Sequence, residues 1–171
     1  MKNIISRCFV NAIQVTDRFH VQKLANQALQ DIRVQERWKA LDIENSFILQ
    51  ARKEGKTFID KEFENGDTAK QLLIRSRYLL AMDATKWTIN QQQRAKILFK
   101  EYPLIHQAYA LTQKLRDLYN RTTIKGVAYT KLAHWYNEVQ NTGLKQFNSV
   151  INTIQVNYRT ILNYFDKRST N

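Results

Sequence analysis

The chain has 171 residues, 43% of them hydrophobic and 11% aromatic, which is enough for a buried core and too apolar for a disordered segment. Four Gly and one Pro are too few for the turns of a sheet-rich fold, so composition favours helices over sandwiches and barrels. The single cysteine, Cys8, excludes a disulfide framework and a thiolate metal site, and a formal net charge of +12 points to a polyanionic partner, nucleic acid first.

In chain order, an apolar β-branched stretch containing Ile13 and Val15 predicts a short strand near residues 12–16. It delivers Asp17 at its carboxyl end, where open α/β sheets keep their chemistry. From Phe19 the apolar positions recur as Val21, Leu24, Ala25, Ala28, Leu29 and Ile32, with Thr16 or Asp17 able to cap the helix. No breaker precedes Gly55, so one long helix, or two nearly continuous ones, is expected over 18–53. Residues 55–67 read as a connecting loop ending in the turn Asn65-Gly66-Asp67, after which Asp67 or Thr68 can cap a helix over 68–82 that buries Leu72, Leu73, Leu79 and Leu80.

Thr88 followed by Gln91 fits a capping box, opening a helix that ends near Tyr102-Pro103. Leu104, Ala108, Leu111, Leu115 and Leu118 repeat at spacings of three and four, predicting a helix to about Tyr119. Another is expected from Ile124 to Asn141 over Leu132, Trp135 and Val139, with Gly143 at its C-cap. The last carries Phe147, Val150, Ile151, Ile154, Tyr158, Ile161, Leu162 and Phe165. The expected fold class is mainly α: a single domain, a bundle of about six helices with at most one or two short N-terminal strands.

No stretch approaches the roughly 20 apolar residues of a membrane span. The N-terminus MKNIISRCFV is interrupted by Asn11 and Gln14 and fits a secretory signal poorly, so a cytoplasmic protein with no membrane partner is expected. Charge is uneven, because residues 94–131 hold eight Lys/Arg against two acidic residues. That run supplies Arg94, Lys96, Lys100, Lys114, Arg116, Arg121, Lys125 and Lys131 as candidate phosphate contacts, and Arg18, Arg75, Arg77 and Arg168 join them as candidate DNA-binding residues.

Two readings stay open for the residues that can carry chemistry. Asp17 can be a metal ligand or only a helix N-cap, and His20 can orient a phosphate or metal-bound water or be structural. His106 and His134 lack partners at ligand spacing and read as structural, and Trp38, Trp87 and Trp135 read as core. Arg75 and Arg77 stand two apart and cannot clamp one phosphate from one helix face, so one is expected to reach nucleic acid while the other pairs with Asp83 or Glu64.

The runs VTDRFHVQKLANQALQDIR, NGDTAKQLLIRSRYLL, KWTINQQQRAKILFKEYP, KLAHWYNEV and ILNYFDKRSTN, in that order along essentially the whole chain, resemble the C-terminal region of bacterial insertion-sequence transposases with a DDE triad. The similar group carries Asp-Arg-Phe-His at its second aspartate. The resemblance implies a ribonuclease H-like sheet holding three carboxylates around two Mg²⁺ or Mn²⁺ ions that activate the attacking oxygen and stabilise the leaving one at a phosphodiester. It implies that Asp17 is the second carboxylate and Ile13–Thr16 its strand. Residues 1–17 would then belong to the catalytic sheet, 18–166 to a helical insertion, and 167–171 to the segment leading to the catalytic Glu.

The first aspartate and the glutamate of that pattern do not occur in this chain, so the expected metal site is incomplete. A single carboxylate cannot supply the six ligands of Mg²⁺. The expectation is therefore a piece of a transposase, truncated at both ends, that binds no metal and neither cleaves nor joins DNA alone. Its expected partners are DNA and a second copy or full-length transposase, and its work is to hold DNA or organise the transposition complex. The alternatives are a helical dimerisation module and an inhibitory truncated product, both without DNA affinity.

Overall fold

The computed structural model describes residues 11–168, and among them the chain is helical with no strand. The helices are α1 (Arg18–Lys53), α2 (Ala69–Arg75), α3 (Ile89–Glu101), α4 (Pro103–Arg121), α5 (Lys125–Thr142), α6 (Asn148–Leu162) and the single turn α7 (Tyr164–Lys167). The chain divides into two compact units, Met1–Ala25 with Lys114–Asn171, and Asn26–Gln113. Both α1 and α4 supply residues to each.

Local chemistry explains the boundaries. Thr68 and Thr88 each accept from the backbone of the residue three later, and Gln71 and Gln91 reach back to the cap amide, so α2 and α3 open on reciprocal capping boxes. Pro103 disfavours helix at Tyr102, ends α3 there, and occupies the first position of α4, where its missing N–H costs nothing. Gly143 stops α5 at φ +66°, a left-handed conformation that other residues adopt only with strain.

In the Asn26–Gln113 unit the core holds Leu29, Ile32, Leu72, Leu73, Leu79, Leu80, Leu98, Ile105 and Leu111. Trp87, Phe99 and Tyr109 pack as an aromatic group, and His106 stacks on Phe99 at 4.5 Å, in keeping with a structural histidine. In the other unit α5 and α6 bury Leu132, Trp135, Val139, Val150, Ile151 and Ile154 around Phe147, which is fully enclosed.

Three local expectations need correction. The helix expected over 68–82 ends at Arg75 and is followed by a turn and a 3₁₀ turn, Leu79–Ala81. Side-chain donors supplement the backbone there: the Leu79 carbonyl accepts from the Met82 amide at 3.2 Å and from Trp87 Nε1 at 2.9 Å, and the Met82 carbonyl accepts from the Tyr109 hydroxyl at 3.1 Å. Leu79 and Leu80 are nonetheless buried, as their spacing implied. Trp38 is not core but 59% exposed, as no residue of α1 after Arg33 is buried as a whole. The strand expected near 12–16 has no ladder among the described residues; Thr16 instead bonds α6, its amide donating to the Thr160 carbonyl at 2.9 Å with the two hydroxyls 2.6 Å apart.

Candidate nucleic-acid interface

The approach to α1 is fixed from both sides. Besides the Thr16–Thr160 pair, Asn163 Nδ2 donates to the Gln14 carbonyl at 3.0 Å. These bonds place Asp17 at the head of α1, where its carboxylate accepts from the Phe19 amide at 2.9 Å and its carbonyl from the His20 amide at 3.1 Å. Asp17 is thus the N-cap, and Thr16 is not. Capping uses one carboxylate oxygen and leaves Asp17 exposed, with His20 exposed one turn on.

Arg18 follows Asp17, and the described residues that hold it are neutral. Its Nη1 donates to Asn120 Oδ1 at 3.3 Å and to the Tyr164 hydroxyl at 3.2 Å, and the guanidinium lies 4.9 Å from the Phe19 ring centre and 5.8 Å from that of Tyr164. Its position is fixed while its charge is not neutralised by these contacts. Arg18, Phe19, Gln22, Arg116, Tyr119 and Asn120 line a cleft of about 200 Å³. Tyr119 is 2% exposed, stacks on Phe165 with centroids 5.7 Å apart, and its buried hydroxyl has no hydrogen-bond partner among the described residues. Burial above all, then Tyr164 and Asp17, pushes its phenol pKa far up, so the group stays a neutral donor.

The other candidate cations divide by what they touch. Arg75 and Arg94 both pair with Asp67, Arg94 Nε at 2.8 Å, and Asn65 Nδ2 adds a third donor at 2.8 Å. Burial alone would raise the Asp67 pKa, but the hydrogen bonds from Arg94 and Arg75 outweigh it and hold the carboxyl below its usual range. The partner of Arg75 is therefore Asp67, not Asp83 or Glu64, and Arg77 lies beyond the end of α2. Lys114 pairs with Glu138, Arg121 with Asp117 at 3.4 Å, and Lys125 with Asp166 at 2.7 Å. Lys131 donates to the Thr122 hydroxyl at 3.2 Å. Arg168 donates to the carbonyls of Tyr119, Asn120 and Thr122, the acceptors that the end of α4 leaves open. Lys96 and Lys100 are exposed on α3.

Sequence reasoning missed Tyr119, Asn120 and Asp67. Tyr119 stands four residues after Leu115 and eight after Leu111, the same buried stripe, which was the available signal. By sequence Asp67 is a candidate helix cap and no more. Nothing local announces its partner Arg94, 27 residues away.

Among the described residues no three His, Cys, Asp or Glu side chains gather to hold a metal ion. Asp17 with His20 does not fit a two-metal centre. No helix of these residues is long and apolar enough to cross a membrane. Compared with known proteins, the chain matches over residues 1–171 a family model described as Transposase, of the ISL3 type of DDE transposases. No curated protein and no solved structure matches it.

Proposed function

The chain belongs to the ISL3-type DDE transposase family, and from that membership we propose that it grips the DNA backbone during transposition, chiefly through the unit of Met1–Ala25 and Lys114–Asn171. One observation carries this reading. In that unit, residues 11–25 and 114–168 hold eleven Lys/Arg against four acidic residues, a net +7, whereas residues 26–113 hold fourteen against eleven, a net +3. The basic run 94–131 is divided between the units after Gln113. Long-range attraction to a polyanion follows net charge per surface, so the first unit is the stronger attractor.

Arg18 supports the same reading, since neutral groups hold it rigid beside a cleft and leave its charge for an anion. Asp17 takes the place of a catalytic carboxylate, with Arg18 and Arg116 positioning the strand beside it. Catalysis requires carboxylates besides Asp17, so this chain alone with Mg²⁺ or Mn²⁺ leaves labelled element-end DNA uncut. Cleavage above background would show that reading to be wrong.

DNA binding is tested by fluorescence anisotropy of a labelled duplex at rising salt. With roughly six to ten phosphate contacts, affinity falls about 10³-fold or more between 50 and 200 mM salt. A flat salt dependence, or no binding at low salt, rules the reading out.

A second reading, self-association, is favoured by a groove of about 640 Å³ within the Asn26–Gln113 unit. Its walls include Ile43, Phe47 and Ile59, which are 57%, 52% and 87% exposed. Apolar surface of this kind marks interfaces. Light scattering at several concentrations tests it: Phe47→Asp shifts a dimer to monomer, and a wild-type monomer at every concentration excludes it.

A further inference from the structure

We infer that Arg33, Arg37 and Arg77, with Tyr78 beside them, form an anion site in the Asn26–Gln113 unit that takes a phosphate of the DNA backbone. The assignment of DNA as the anion's source rests on the reading above; the existence of the site does not.

Arg33 and Arg37 stand one helical turn apart on α1 and so share a face. Gln30, on the preceding turn, joins the two segments. Its Oε1 accepts from Arg33 Nε at 2.7 Å, and its Nε2 donates to the Arg77 carbonyl at 3.1 Å. Arg33 is only 7% exposed and donates from Nη1 to the Leu73 carbonyl at 2.9 Å. Arg37 Nε is buried with no hydrogen-bond partner among the described residues. Arg77 is exposed, its guanidinium 5.6 Å from the ring centre of Tyr78, which is 73% exposed. None of these contacts supplies a negative charge.

Like charges drawn together in partly dehydrated surroundings repel one another, and the Arg33 pKa reflects it, lowered first by burial and then by Arg77 and Arg37. A guanidinium keeps its proton under this repulsion, which an arriving anion relieves. An anion here gains charge-assisted bonds from exposed Arg77, while Arg33 and Arg37 add their field from behind. Arg75, two residues earlier, contrasts with this, because Asp67 already neutralises it.

Two measurements on the full chain test the site. The first is thermal unfolding in inorganic phosphate against sodium chloride at equal ionic strength. Phosphate at tenfold above its dissociation constant raises Tm by about 3–6 °C. The rise disappears in Arg77→Gln, whose side chain is exposed and whose loss leaves the fold intact, and in Arg37→Gln, but persists in Lys56→Gln outside the cluster. The second is duplex binding at rising salt, where Arg77→Gln reduces the slope of log affinity against log salt by about one. No phosphate response in the wild type overturns the site. A phosphate response with an unchanged DNA slope overturns the DNA assignment and leaves a free-anion site. A phosphate response in a protein that binds no DNA at any salt sinks the proposed function while the site stands.

Discussion

Replacing Asp67 with Asn removes one negative charge from a site where it is wholly enclosed and where two arginines converge. Breaking a buried ion pair from one side costs about 3–5 kcal/mol when the surviving charge has no access to water. Here the survivors have some: the Arg94 side chain is 22% exposed and that of Arg75 is 52% exposed. Rehydration of both brings the expected loss to roughly 2–4 kcal/mol. For a chain of this length that corresponds to a fall in Tm of about 4–16 °C, read by circular dichroism and by guanidinium titration. Arg94→Ala should cost more than Arg75→Ala, because Arg94 is the less exposed partner. The pH dependence follows from the lowered Asp67 pKa. Its stabilisation is fully present above the unfolded value of about 3.9 and disappears as pH falls through the depressed folded value. Asp67→Asn therefore loses most at neutral pH and converges on wild type in acid. A variant that melts within 2 °C of wild type at pH 7 would refute the account of Asp67 as the hub of its unit.

Tyr119→Phe removes a buried hydroxyl that bonds nothing, so it should stabilise the chain by about 1 kcal/mol in chemical denaturation; a loss of stability would mean the hydroxyl is satisfied. Gly143→Ala should cost about 1 kcal/mol, because an added Cβ meets nothing within 4 Å and the left-handed backbone alone is penalised. An unchanged midpoint would count against that backbone conformation. Phe147→Ala empties a fully enclosed position beside Trp135 and should cost about 3–5 kcal/mol, read from the urea midpoint; a cost under 1 kcal/mol would place Phe147 outside the core.

Much of this architecture was legible because it depends on short-range chemistry. The extent of α1, the capping box at Thr88 and Gln91, the stop at Gly143 and the buried stripe of α6 each rest on residues within a few turns of one another. The break after Arg75 was not legible. No Gly or Pro marks it, and the donors that stabilise it come from Trp87 and Tyr109. Trp38 escapes its sequence expectation for a related reason: helical spacing shows which residues share a face, not whether anything packs on that face.

The site divides along the same line. Composition and order in the chain were sufficient to establish a basic, helical member of a transposase family, with Asp17 at the head of its long helix. Which cations are neutralised was decided only when the chain folded. Asp67 draws in Arg94 from 27 positions away, Glu138 takes Lys114, and Arg18 is left with neutral partners. Helix periodicity acts over a handful of residues, whereas Coulomb energy depends on distance and burial in space, which residue spacing along the chain does not encode.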